Sequence, residues 1–261
     1  YIEHGMGPKW KWLAKIFAFF GIGVGLLGIG TFTQVNGISS AVNNFFDPNN
    51  AWTVSLFGRT YSWTVVISCL ILTFCVALVL IGGIQRISKV AQVIVPFMAA
   101  TYFLAGILII LFNITDVPAA ILTIVQSAFG LKAAAGGALG AMVVAMQKGI
   151  ARGIFSNEAG LGSAPIAAAA ARTNEPVRQG LVSMTGTFDT IIICSITGIA
   201  IVLTGAYDMG LEGVAVTTKA FQLGLPFPDG VASFILMLCL VFFAFTTILG
   251  WDYYSERCLE Y

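Results

Sequence analysis

The stretch RGIFSNEAGLGSAP, from Arg152 to Pro165, interrupts a chain that otherwise reads as lipid-facing helix. It holds Arg152, Glu158, three glycines and a proline. Lipid offers backbone groups no hydrogen bonds, so a helix broken at membrane depth must be buried in protein or line a wet cavity. Gly153, Gly160 and Gly162 let the chain leave the helix at little cost. Pro165 suits the first turn of a new helix, where its missing N–H matters least, and Ser163 is placed to cap it. The spacing predicts a helix ending near residues 152–157, a non-helical link, and a second helix over 165–172. A helix start facing a cavity attracts a carboxylate, and an unwound carbonyl attracts a cation. A structural re-entrant loop closed by a buried Arg152–Glu158 ion pair would use the same residues, although an intramembrane charge is by default a functional-site signal.

The surrounding composition sets the class. Of 261 residues, 58% are hydrophobic and only 10% are charged, and the mean hydropathy is +0.92. A soluble domain carries about 25% charged residues, so this chain has too few to cover a surface facing water. It is an integral membrane protein, with the lipid bilayer as its first partner. A net charge of +1 with no basic patch excludes nucleic acid. Cys69, Cys75, Cys194 and Cys239 fall in apolar runs and Cys258 near the end, without the spacing of a metal site or a disulfide framework. They read as small buried hydrophobes. His4 is the one histidine and precedes the first apolar run. No Ser–His or Cys–His pair can form within the membrane, and no HExxH motif is present. Enzymatic function, and with it any catalytic residue, is not expected.

Five segments meet the roughly 20 apolar residues that a span needs: 13–42, 62–81, 91–112, 185–204 and 231–250. Counting the interrupted region, about 133–171, makes six. Lys and Arg collect in cytoplasmic loops. With the start inside, the inner segments hold Lys9, Lys11, Lys15, Arg86, Lys89, Arg172, Arg178 and Arg257, against Arg59, Lys132 and Lys219 outside. Lys148 and Arg152 lie in the interrupted region. Five crossings would put Arg172 and Arg178 on the wrong side. The expected topology is multi-pass in the plasma (cell inner) membrane with a cytoplasmic start. Residues 211–224 are too polar to span and suit a surface helix. Residues 116–129 are similar, with Pro118 at their start, and the alanine run 167–171 predicts helix.

In the first span Gly21, Gly25 and Gly28 share one helical face, which invites another helix to approach. Gln34 and Asn36 follow, about 200° apart and so on different faces. Asp189 sits near the inner end of its span, where pairing with Arg178 or helix capping is favoured over cation binding.

The strings GIARGIFSNEAGLGSAPIAAAAA (149–171) and PVRQGLVSMTGTFDTIIIC (176–194) closely resemble the alanine-or-glycine:cation symporter family. TFTQVNGISSAV (31–42) and FAFTTILGWDYYSE (243–256) resemble other stretches of it. The likeness runs along nearly the whole chain. It implies an all-α membrane protein of the leucine-transporter-type inverted-repeat fold, with the first helix of each repeat broken. The six spans would be the third to eighth, one of them discontinuous. Residues 1–261 are then expected to be a single transmembrane domain, a fragment of a longer transporter; the start at Tyr1, with no methionine, agrees. The inside start agrees with the charge count.

The resemblance also assigns roles. Residues 155–162 are expected to be non-helical and to line the substrate cavity. Phe155 would wall the side-chain pocket. Backbone groups from Ser156 to Gly160, with the Asn157 amide, would contact the amino acid, and Glu158 would hold the break open through hydrogen bonds. The middle of the first span would border the substrate through Asn36 and, second, Gln34, where interhelical hydrogen bonding is the competing reading. Thr246 and Thr247 lie deep in an apolar run. Each hydroxyl could simply bond back to its own helix. With the Phe243 carbonyl one turn earlier, however, they supply three neutral oxygens on one helix, and the resemblance places them at the cation site of the eighth span. The implied function is symport of a small neutral amino acid, alanine or glycine, by alternating access. Na+ is the coupling ion, H+ the alternative, and no cofactor is required. The competing class is a channel-like or structural membrane subunit without coupled transport. A channel favours a repeated filter motif in a symmetric assembly, and one broken helix in six spans does not supply it.

Overall fold

The structure, a computed structural model, describes residues 1–56, 58–129, 138–158 and 160–261. In chain order the helices are α1 (Ile2–Met6), α2 (Lys11–Leu26), α3 (Phe32–Phe46), α4 (Trp63–Leu80), α5 (Gly83–Phe112), α6 (Val117–Ala128), α7 (Ala138–Ser156), α8 (Ala164–Ala169), α9 (Pro176–Asp189), α10 (Ser195–Leu203), α11 (Val214–Gly224) and α12 (Asp229–Glu260). A π-helical turn, Thr190–Cys194, joins α9 to α10. Between α3 and α4 lies an antiparallel hairpin of β1 (Thr53–Leu56) and β2 (Arg59–Ser62), with Thr53 opposite Ser62. It is a small addition to an otherwise helical membrane protein.

Among the described residues, four stretches are long and apolar enough to cross a membrane: Trp63–Leu80, Gly83–Phe112, Pro176–Leu203 and Asp229–Glu260. They match four of the expected spans. The expected span over 13–42 is not one straight helix. It divides into α2 and α3 at a glycine-closed turn. Gly28 has φ +61. The Ile29 N–H donates to the Val24 carbonyl at 3.2 Å and the Gly28 N–H to the Gly25 carbonyl at 3.1 Å. This pair of bonds is the Schellman ending of a helix, for which glycine at the left-handed position is the preferred residue. Gly28 therefore terminates α2 rather than extending a packing face.

Contacts divide the described residues into two units. The first comprises Tyr1–Leu104, Glu212–Thr218 and Phe227–Tyr261. Its spine is α12, which runs antiparallel to α2 and α3. A Cβ at Gly21 would collide with Cys258, one at Gly25 with Ser255, and one at Gly30 with Trp251. Farther along, Phe45 meets Phe234 with ring centroids 5.7 Å apart. Lipid gives helices no hydrophobic reason to associate, so close backbone approach at small residues and an occasional polar tie do that work. The Ser255 hydroxyl provides one such tie, donating to the Gly21 carbonyl at 3.4 Å.

At the end of α3, Asp47 is only 8% exposed. Its carboxylate accepts from the Ala51 N–H at 2.7 Å, the Trp52 N–H at 3.2 Å and the Ser62 hydroxyl at 3.0 Å. These bonds, the Ala51 amide first, hold its carboxyl below the usual carboxylate value. A carboxyl whose pKa is lower in the folded state contributes stability above its unfolded pKa and loses it as pH falls through the folded one. Protection of the Ala51 and Trp52 amides against hydrogen exchange should therefore fall at acidic pH. Asp47→Asn should weaken that protection and remove its pH dependence, as amide-resolved exchange will read.

The second unit comprises Ala105–Leu211 and Lys219–Pro226. Its α6 packs on α10 and α7. Gly106 lies against Ile196, and the Asn113 amide donates to the Ile109 carbonyl at 2.8 Å and the Gly224 carbonyl at 3.4 Å. Helices α6 and α11 form where expected, but Ala220 and Phe221 of α11 are fully buried. That helix is packed in protein on one face rather than lying bare on a membrane surface. The second half of the interrupted region is shorter than the predicted 165–172. It ends at Ala169, well before Glu175, which Pro176 holds extended (φ −103, ψ 107). The i−3 bonds from Ala170 to Ala167 and from Ala171 to Ala168 tighten its last turn.

Candidate substrate and cation site

The break in the second unit is built from local geometry. Helix α7 continues through Phe155 and Ser156, two residues beyond the start expected for the non-helical link. The side chains of both lie outside the described residues, as does Ala159, so the pocket-wall role of Phe155 has no side-chain geometry here. From Asn157 the chain turns. Glu158 has φ +51, Gly160 +75 and Gly162 +79. Glycine adopts this conformation freely, whereas a glutamate held there costs about 1–3 kcal/mol and needs its surroundings to keep it in place. Ser163 does part of this. Its hydroxyl donates to the Glu158 carboxylate at 2.6 Å, and it is only 5% exposed. Ser163 precedes α8 as predicted, but its hydroxyl oxygen accepts no capping bond from the helix, and the hydroxyl donates to Glu158. Charge-assisted O–H···O bonds of this length are among the stronger ones. Among the described residues, no ion pair joins Glu158 to Arg152, which is exposed. The structural loop closed by those two charges is therefore not what holds the break.

The Asn157 amide nitrogen donates to the Gly153 carbonyl at 3.1 Å. Its oxygen accepts from the Thr190 hydroxyl at 2.9 Å. Thr190 was not singled out from the sequence, because a π-helical turn has no hydrophobic period to reveal it.

The oxygens expected at the cation site lie in the first unit. The Thr247 hydroxyl donates to the Phe243 carbonyl at 2.8 Å, and the Thr246 hydroxyl approaches the same carbonyl at 3.0 Å and that of Phe242 at 3.1 Å. One carbonyl thus gathers both hydroxyls, and three oxygens crowd one side of α12. The helix alone satisfies both protons, as threonine does in membrane helices. Each hydroxyl oxygen keeps acceptor capacity for a cation. Both threonines are half-buried. The Phe243 ring is fixed edge-on against Tyr102, centroids 5.9 Å apart.

Gln34 and Asn36 both lie on α3, which packs along α12. Gly30 lies against Trp251 and Phe45 against Phe234, so this stretch runs antiparallel along α12. Gln34 is half-buried and Asn36 exposed. The structure thus brings the polar stretch of α3 and the threonine pair into one unit. The residues of the break belong to the other.

A family model described as the sodium:alanine symporter family matches residues 1–261. The chain belongs to the sodium:alanine symporter family. An uncharacterized transporter of Haemophilus influenzae is 53% identical over 264 residues, covering 100% of this chain and 54% of its own length. The sodium/alanine symporter AgcS of Methanococcus maripaludis is 42% identical, covering 99% of this chain and 52% of that protein. The amino-acid carrier protein AlsT of Bacillus subtilis is 34% identical, covering 100% and 51%. The chain spans about half the length of the curated relatives it matches. The sodium:alanine symporter family is a family of transporters, not of enzymes.

Proposed function

We propose that the whole protein of which this chain forms part is a symporter. It moves a small neutral amino acid, alanine or glycine, across the plasma membrane together with Na+, by alternating access on a leucine-transporter-type scaffold. The observation that carries this reading is the break at residues 157–163, held by left-handed Glu158, Gly160 and Gly162 and by the Ser163–Glu158 bond, in a chain matched throughout by a symporter family. Strain of this kind is kept at sites that use it. Phe155, Ser156, Asn157, Glu158 and Gly160 are assigned to the amino acid, and so are Asn36 and Gln34 of α3. Thr246, Thr247 and the Phe243 carbonyl take the cation. The name of the AgcS relative supports both alanine and sodium.

Reconstituted into liposomes, the purified whole protein should concentrate labelled alanine or glycine only when an inward Na+ gradient is imposed. A proton gradient substituting fully for sodium would reassign the coupling ion. Passive flux without saturation would replace the symporter by a channel.

The orientation is tested separately. Under the proposed topology the loop over residues 47–59 and the segment before α11 are external, and the link between α8 and α9 is cytoplasmic. Single cysteines at Asn49 and Met209 should react with an impermeant maleimide added to sealed cells, above the level of the parent protein. A cysteine at Asn174 should react only after permeabilisation. Labelling of the Asn174 position from outside would reverse the assignment.

A further inference from the structure

The Asn157 side chain is held from two directions. Its amide nitrogen donates to the Gly153 carbonyl, which can only accept, so the amide oxygen is the atom turned toward Thr190. The Thr190 hydroxyl donates to that oxygen at 2.9 Å and also lies 3.1 Å from the Gly186 carbonyl of its own helix. Thr190 is the first residue of the π-helical turn Thr190–Cys194. Such turns give up regular i−4 bonding and occur often at functional sites. By placing an extra residue in one helical path, the turn lets the two sides of it face different neighbours. On one side Thr190 meets the break; on the other, Ile196 lies against Gly106 and Ala200 is fully buried.

Resting on the reading of the break as the amino-acid site, we infer that Thr190 is a positioning residue for substrate binding: its hydroxyl, donated to Asn157 Oδ1, fixes the orientation in which the Asn157 amide meets the amino acid. With one N–H committed to Gly153 and one oxygen lone pair to Thr190, the amide keeps one donor and one acceptor. That pair is complementary to the carboxylate and the ammonium of a zwitterion. Without the Thr190 hydroxyl the oxygen end is no longer pinned, and binding weakens although every group that touches the substrate remains.

The test compares Thr190→Val, Thr190→Ser, Asn157→Ala and the Val/Ala double variant in the whole protein. Half-saturation for alanine is read from uptake into liposomes and from equilibrium binding of labelled alanine. Thr190→Val should raise half-saturation about three- to tenfold, the worth of one ordinary hydrogen bond. It should leave the maximal rate and the Na+ dependence at saturating alanine unchanged, and Thr190→Ser should restore the parent value. In the Asn157→Ala background Thr190→Val should add nothing, because residues that act through one another are not additive. If Asn157→Ala shifts half-saturation and Thr190→Val does not, the inference is overturned while the site reading stands. An equal effect of Thr190→Val with and without Asn157 also overturns it. If Asn157→Ala changes neither binding nor uptake, the site reading itself fails and the inference falls with it.

Discussion

Gly160→Leu in the whole protein should abolish amino-acid uptake while leaving membrane insertion intact. Among the described residues, its chain neighbours aside, no heavy atom lies within 4 Å of a Cβ built at Gly160. The effect of the substitution is conformational first. At φ +75 a side chain other than glycine's costs about 1–3 kcal/mol, which alone corresponds to roughly a fivefold to 150-fold loss in the population holding the break. Leucine also favours helix, and so promotes joining α7 to α8 across the link. Finally, its side chain projects into the space where the amino acid is proposed to sit. Gly160→Ala carries the backbone penalty without the bulk, and should retain a measurable fraction of uptake. Counterflow of labelled alanine in liposomes separates the three proteins. Transport by Gly160→Leu at the parent rate would remove the break from the site.

Thr247→Ala should raise the Na+ concentration for half-maximal uptake about tenfold or more, the value of a lost bond to a charged group. The alanine concentration needed at saturating Na+ should change far less. In the structure the Thr247 hydroxyl is satisfied by the Phe243 carbonyl at 2.8 Å. Its removal frees a carbonyl that Thr246 still reaches at 3.0 Å, so the helix should survive the change. Thr247→Ser keeps the oxygen and should retain most of the Na+ affinity. Thr246→Ala should act in the same direction as Thr247→Ala. An unchanged Na+ dependence in both alanine variants would return the pair to ordinary helix packing.

Sequence legibility differed with the kind of signal. The break was readable because glycine and proline act locally: three glycines and Pro165 within fourteen residues predicted an interruption that the structure places at 157–163. Its start was displaced, since α7 carries on through Ser156, and residue preferences do not say how far a helix with further bonds to make will run. The four continuous spans were legible from apolar length. The division of 13–42 was not, although Gly28 was in view. A glycine that ends a helix and a glycine that packs one look alike until the backbone bonds are known. Gly21 and Gly25 were the packing kind, and the side chains of Cys258 and Ser255 fill the places their Cβ atoms would take. The Ser163–Glu158 bond and the reach of Thr190 to Asn157 were hidden for another reason. Both depend on side-chain directions at positions without helical periodicity.

The seam between α2–α3 and α12 governs the order in which the protein can be assembled. Ser255 bonds to Gly21 across 234 residues of chain, and the whole of the unit comprising Ala105–Leu211 is synthesised between them. Until α12 emerges, the notches at Gly21, Gly25 and Gly30 have no α12 side chains to receive. Contacts of such long sequence separation close late and slowly. The first unit to be started is thus completed after the second has been made. During that interval the polar residues of α3, Gln34 and Asn36 among them, lack the helix that later runs beside them.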